Sequence, residues 1–115
     1  MPGRPPSDPY PELMNTMPDD DARTDELART LVDERLAACV SVYGPMRSTY
    51  RWKGGIERDV ERQVVIKTTA DRLDALRRRL PALHPYELPE FLVLSVDEGS
   101  DGYVAWVEAG TGTGR

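Results

Sequence analysis

The chain has 115 residues, enough for one domain with a core of two packed layers and too few for two domains. Asp and Glu outnumber Lys and Arg 20 to 15, and the formal net charge of -5 repels phosphate backbones, which argues against a nucleic-acid partner. A single cysteine excludes an internal disulfide or a paired-cysteine metal knuckle, and no run approaches membrane-spanning length, so a soluble, cytoplasmic protein without a membrane partner is expected.

Residues 1–9, rich in proline, and residues 110–115, Gly110 to Arg115, offer little to bury. Both are expected to be disordered tails around one folded domain at 10–109. The first strand, Tyr10 to Met17, is the weakest element, because Pro11, Glu12 and Asn15 leave it little apolar pattern. A helix from about Asp20 to Leu36 follows from Leu27, Leu31 and Leu36 at helical spacing. The acidic Asp19-Asp20-Asp21 before it reads as a capping device facing the positive end of the helix dipole rather than as a cation site.

The next stretch alternates. Val40, Val42, Met46, Tyr50 and Trp52 share one parity, with Gly44-Pro45 as an interruption, and Ile56, Val60, Val64, Ile66 and Thr68 share one parity after the tight turn Lys53-Gly54-Gly55. Together they make one hairpin with arms of about 15 residues, or about 50 Å at strand rise. A domain of this size has a radius of gyration of about 13 Å, so it cannot cover the tip of its own ribbon. Tyr50, Trp52, Ile56 and Val60 are apolar near that tip, and a lone two-stranded ribbon is marginal in water. A second copy of the chain is the expected cover, and these four residues are the expected interface of a closed homo-oligomer.

A second helix spans about Ala70 to Arg79, carrying Leu73, Leu76 and Leu80, with Thr68 or Thr69 as its cap and Pro81 expected to end or kink it. Phe91 to Val96 is an apolar run that suits a central, fully buried strand. Tyr103, Trp106 and Val107 are spaced for a short C-terminal helix, with a strand as the competing reading. The order strand, helix, strand, strand, helix, strand is a split β-α-β unit. The predicted fold class is therefore α+β and ferredoxin-like, with helices on one face of an antiparallel sheet.

Between the second helix and the last strand lies His84-Pro85-Tyr86-Glu87-Leu88-Pro89-Glu90, which holds the only histidine. Its two prolines fix their own φ and bias their neighbours toward extended geometry, so an imidazole, a phenol and carboxylates are held stiffly together. The segments Glu34-Arg35-Leu36-Ala37-Ala38-Cys39-Val40, Tyr50-Arg51-Trp52-Lys53-Gly54-Gly55-Ile56-Glu57, Ile66-Lys67-Thr68-Thr69 and this heptapeptide occur in that order. Taken together, from about Pro18 to Ala109, they closely resemble the CutA family of divalent-cation tolerance proteins.

The resemblance implies a homotrimer similar to PII-type signalling proteins and a cytoplasmic role in tolerance of copper and other divalent metals. It also implies copper or a related divalent cation as ligand, carried over at His84 and Glu90. In one place the chain departs from the family, which often has a cysteine where Asn15 stands; an amide is a poor copper ligand beside a thiolate, which weakens any soft three-ligand site. Cys39 reads as a packing residue. Imidazole and carboxylate together favour copper(II) weakly, and another subunit or water must complete the shell.

Tyr86 and Glu87 are candidates for a small-ligand cleft beside a neighbour's hairpin. Catalysis has no motif behind it: there is no nucleophile elbow, no phosphate-cradling loop and no spaced histidine pair. The expected function is a non-catalytic, metal-responsive trimer, and the alternative is a PII-like small-molecule or partner-binding regulator. RNA binding on the sheet is disfavoured by the missing aromatic RNP pattern and the charge.

Overall fold

A computed structural model of the protein describes residues 10–112. Its elements are β1 (Tyr10–Pro18), α1 (Asp21–Asp33), β2 (Cys39–Trp52), β3 (Gly55–Lys67), α2 (Leu73–Leu83), β4 (Leu92–Val96) and α3 (Asp101–Thr111). A 3-10 turn at Ala70–Arg72 leads into α2. The strands form one antiparallel sheet in the order β2-β3-β1-β4, the expected ferredoxin-like arrangement. The proline-rich tail predicted at residues 1–9 lies outside the described residues.

β1 is a strand because of its neighbours rather than its composition. It pairs with β3 from Glu12 to Pro18 and with β4 from Tyr10 to Met14, so both backbone edges are used over part of its length. Leu13, Asn15 and Met17, at period two, are fully buried. Leu13 and Met17 meet Leu27 and Leu31 of α1, Leu76 and Leu80 of α2, and Val64 and Ile66 of β3 in one core. Asp20 caps α1 as expected, its carboxylate accepting from the Arg23 amide at 3.1 Å. Across the outer face, Arg79 donates to both carboxylate oxygens of Glu34, at 2.9 and 2.8 Å, and staples α2 to the end of α1.

The hairpin has the predicted length. Its ladder runs from Cys39 opposite Lys67 to Trp52 opposite Gly55, with an irregularity between Tyr43 and Met46 at the Gly44-Pro45 interruption. Lys53 and Gly54 close it with φ of 48° and 82°, the paired positive values of a two-residue type I′ turn. The ribbon stretches the molecule to 51 Å against 26 and 23 Å across.

Three expectations need correction. Phe91 to Val96 is not a central buried strand: β4 is the sheet edge, and Leu92, Val93 and Leu94 are exposed. An apolar run reports low polarity on both faces and not the cover that a single chain supplies. Of the two effects expected of Pro81, ending or kinking α2, the first is overturned and α2 runs on past Arg79, because a proline in the last turn forfeits one hydrogen bond only; the helix stops at His84, held extended before Pro85.

The fold also passes the boundary drawn at residue 109. Gly110 packs so closely on Ala38 that an added Cβ would lie 3.0 Å from the alanine's. Thr111 is buried, its hydroxyl donating to the Val107 carbonyl at 3.1 Å, and its own carbonyl accepts from Arg72 Nε at 2.7 Å.

Candidate functional site

The site begins where the sheet runs out. The β1–β4 ladder ends at Met14, so the β1 edge beyond it is open to other partners, and the 84–90 loop supplies them. His84 Nε2 lies 2.7 Å from the Thr16 carbonyl, and the Tyr86 amide donates to His84 Nδ1 at 3.1 Å. Since an N–H points at Nδ1, that nitrogen carries the lone pair and Nε2 carries the proton that Thr16 accepts. The imidazole is thus neutral and its two nitrogens are both spent on backbone groups. Burial pushes its pKa below the usual histidine range, with the Thr16 bond and the nearby Glu61 charge opposing.

Two further ties fix the loop. The Tyr86 hydroxyl donates to Glu61 Oε2 at 2.6 Å, and burial followed by that carboxylate raises the phenol's pKa. Asn15 Nδ2 donates to the Glu90 carbonyl at 2.7 Å, while Gln63 Nε2 donates both to the Asn15 carbonyl at 2.7 Å and to Glu90 Oε2 at 3.0 Å. The buried Asn15 Oδ1 has no hydrogen-bond partner among the described residues.

Between this loop and the hairpin opens a cleft of about 730 Å³. The aromatic side chains on it are Tyr50, Trp52 and Tyr86, and the carboxylates are Glu61, Glu87 and Glu90. Tyr50 donates to Asp59, and that bond, with burial and neighbouring acids adding to it, pushes its pKa to about 12. At the rim Lys53 Nζ lies 3.7 Å from Glu87 Oε2 and 5.6 Å from the centre of the Trp52 ring.

The predicted residues therefore divide. Tyr50, Trp52, Tyr86, Glu87 and Glu90 share the cleft, whereas His84 lines a separate hollow of about 340 Å³ with Met17, Leu27 and Leu83. Ile56 and Val60 stand exposed on the ribbon outside the cleft lining. Glu61, Gln63 and Thr16 emerge as site residues that the sequence did not single out. Glu61 and Gln63 sit at the polar parity of β3, which reads as a solvated face until the loop is laid across it. The signal available was the Gly44-Pro45 break, which falls opposite these two residues.

A copper ion held by His84 and Glu90 does not fit these residues. Neither imidazole nitrogen is free, the two side chains open on different hollows, and the Asn15 amide is engaged with the Glu90 carbonyl. Among the described residues, no group of three or more His, Cys, Asp or Glu side chains converges as a metal cage.

Comparison with known proteins bears on this arrangement. A family model described as CutA1 divalent ion tolerance protein matches residues 13–110. The Divalent-cation tolerance protein CutA of Thermus thermophilus is 42% identical over 101 residues, covering 87% of this chain and 96% of the relative. The protein of the same name from Pectobacterium atrosepticum is 41% identical, covering 84% and 87%. The crystal structure of CutA from Xylella fastidiosa superposes with a TM-score of 0.85 at 41% identity, over 90% of this chain and 98% of that one.

Proposed function

The chain belongs to the CutA1 divalent ion tolerance family, and from that premise we propose that it is a non-catalytic divalent-cation tolerance protein that works in the cytoplasm as a homotrimer. The cleft between the 84–90 loop and the hairpin is where it meets its ligand. The observation that carries this reading is the bond from Tyr86 to Glu61, because it ties the loop to the ribbon and gives a cleft with two fixed walls. A cation contact falls to Glu90, with Glu61 and Glu87 nearby and water completing the shell, so affinity is modest. His84 pins the loop.

The trimer is supported by the ribbon. Ile56 and Val60 are 68% and 47% exposed in a single chain, and Tyr50 and Trp52 also stand partly bare, so the surface expected to be covered is uncovered. The non-catalytic reading is supported by the bonding of His84, whose ring nitrogens both serve backbone groups and activate no nucleophile.

Copper(II) titration of the whole protein tests the assignment. Glu90→Gln is expected to weaken binding and His84→Gln to leave it unchanged; loss of binding in the histidine variant alone would return the metal to the imidazole. A second reading, a PII-like regulator that binds a small molecule and responds to metals indirectly, is favoured by the aromatic walls of the cleft.

A further inference from the structure

Charge on the outer ribbon is sorted by side. In the β2–β3 register Glu61 stands opposite Met46, Asp59 opposite Ser48 and Glu57 opposite Tyr50, while Arg47 stands opposite Val60, Arg58 opposite Thr49 and Arg51 opposite Ile56. Successive strand residues point to opposite sides, so the three acids share the side that lines the cleft, and the three arginines share the reverse side, continuous with the helix-covered face of the sheet. An arginine directly across from an acid is the ordinary way to stabilise an exposed strand pair, and it occurs nowhere between Met46 and Trp52.

Each side is left with charge of one sign. Glu57, Asp59 and Glu61 follow one another at about 7 Å along the strand, and all three act on the Tyr50 phenol. Arg47, Arg51 and Arg58 are exposed and take part in none of the ion pairs among the described residues. On a ribbon bathed only in water, mixing the signs would relieve both repulsions at no cost.

The apolar residues are sorted to match, Tyr50 and Trp52 beside the acids, Ile56 and Val60 beside the arginines. A two-fold contact lays like side on like side, setting arginine against arginine or acid against acid. Laying the arginine side of one ribbon on the acidic side of the next joins opposite charges and lets guanidinium groups stack on the Tyr50 and Trp52 rings. Such a contact is heterologous, so every copy uses both sides once a ring has closed, and all four apolar residues are covered.

We propose that neighbouring copies recognise one another head to tail through the ribbon, the side carrying Arg47, Arg51 and Arg58 in one copy lying against the side carrying Glu57, Asp59 and Glu61 in the next. The inference rests on the homotrimer reading and deepens it by naming the two surfaces and the polarity that disfavours two-fold pairing. The cation contact at Glu90 lies apart from it, because that carboxylate is tied to Gln63, about 20 Å down the strand from Glu57.

Sedimentation velocity of the whole protein at low micromolar concentration and physiological salt tests it. Arg51→Glu with Arg58→Glu, and separately Glu57→Arg with Asp59→Arg, should each weaken association at least about tenfold, because either change sets like charges against each other. All four substitutions in one chain exchange the signs of the two sides and should restore the assembly, a recovery that a merely structural defect would not give. Circular dichroism matching the parent confirms that each variant is folded. If loss of the Asp59 bond to Tyr50 upsets folding, Glu57→Arg paired with Arg51→Glu gives the same test, each alone weakening association and both together restoring it.

A charge-reversed variant that stays fully assembled, or a folded variant with exchanged signs that does not reassemble, would overturn the proposal. Either result leaves the homotrimer reading standing if the parent is assembled. A parent that sediments as a single chain would sink that reading and this contact together.

Discussion

The two halves of β3 follow one alternating pattern and meet opposite fates. In the inner half Val64 and Ile66 are fully buried under α1 and α2, while in the outer half Ile56 and Val60, at the same parity, are 68% and 47% exposed. Alternation therefore reports strand geometry, and cover is a separate question answered by what else packs there. The helices reach only the base of the ribbon. The outer half carries apolar residues for which the described residues supply no lid, and that mismatch between pattern and cover is the physical case for neighbouring copies.

Substitution in the covered half should do the most damage. Leu80→Ala removes a fully buried side chain from the core and is expected to cost about 2–5 kcal/mol, read by chemical denaturation at fixed protein concentration. An effect near zero would mean that the helix layer contributes little and that the contrast between the halves is false.

Asn15→Ala should come next. It strips the Glu90 carbonyl of its amide donor while also removing a buried oxygen that has no partner, so the loss is expected at about 1–2 kcal/mol, with faster amide exchange over residues 85–90. Asn15→Cys would keep the volume small but not the amide bond, and should leave that loop equally loosened.

The acid response should be smaller and localised. Because burial lowers the folded-state pKa of His84, the unfolded chain takes up its proton first as pH falls. The contribution is full above about pH 6.5, the ordinary histidine value, and declines as pH drops toward the lowered folded pKa. Thermal unfolding between pH 8 and pH 5 should show the decline in the parent and a flatter profile in His84→Gln.

The smallest effect on the folded protomer is expected in the uncovered half. Ile56→Ser should change the intrinsic stability of the subunit by no more than about 0.5 kcal/mol, yet it should shift sedimentation toward smaller species. A variant that loses core stability and keeps its assembly would reverse the roles given to the two halves.

Much of this was legible from the residues. The long ribbon with its Lys53-Gly54 turn, the Asp20 cap and the leucine stripes of both helices were all signalled by spacing and turn chemistry. β1 was nearly invisible, since its strand identity comes from partners 43 or more residues away in sequence, Val64 for Asn15 and Val93 for Leu13 among them. β4 misled because an apolar run looks alike at the centre of a sheet and at an edge that this chain leaves bare.

The site was half legible. The stiffness of the 84–90 loop could be read from its prolines, but the bonds from His84 to Thr16 and from Tyr86 to Glu61 join residues 68 and 25 positions apart and left no local trace. Glu61 hid among the solvated acids of its strand for the same reason.

The turn at the end of the ribbon has a thermodynamic implication. Two residues link the arms, with no slack loop between Trp52 and Gly55, so any surface that docks at the tip meets a nearly rigid beam. Little backbone freedom remains to be lost at the moment of contact, and more of the area covered there is retained as binding free energy than a floppy arm of equal length could keep.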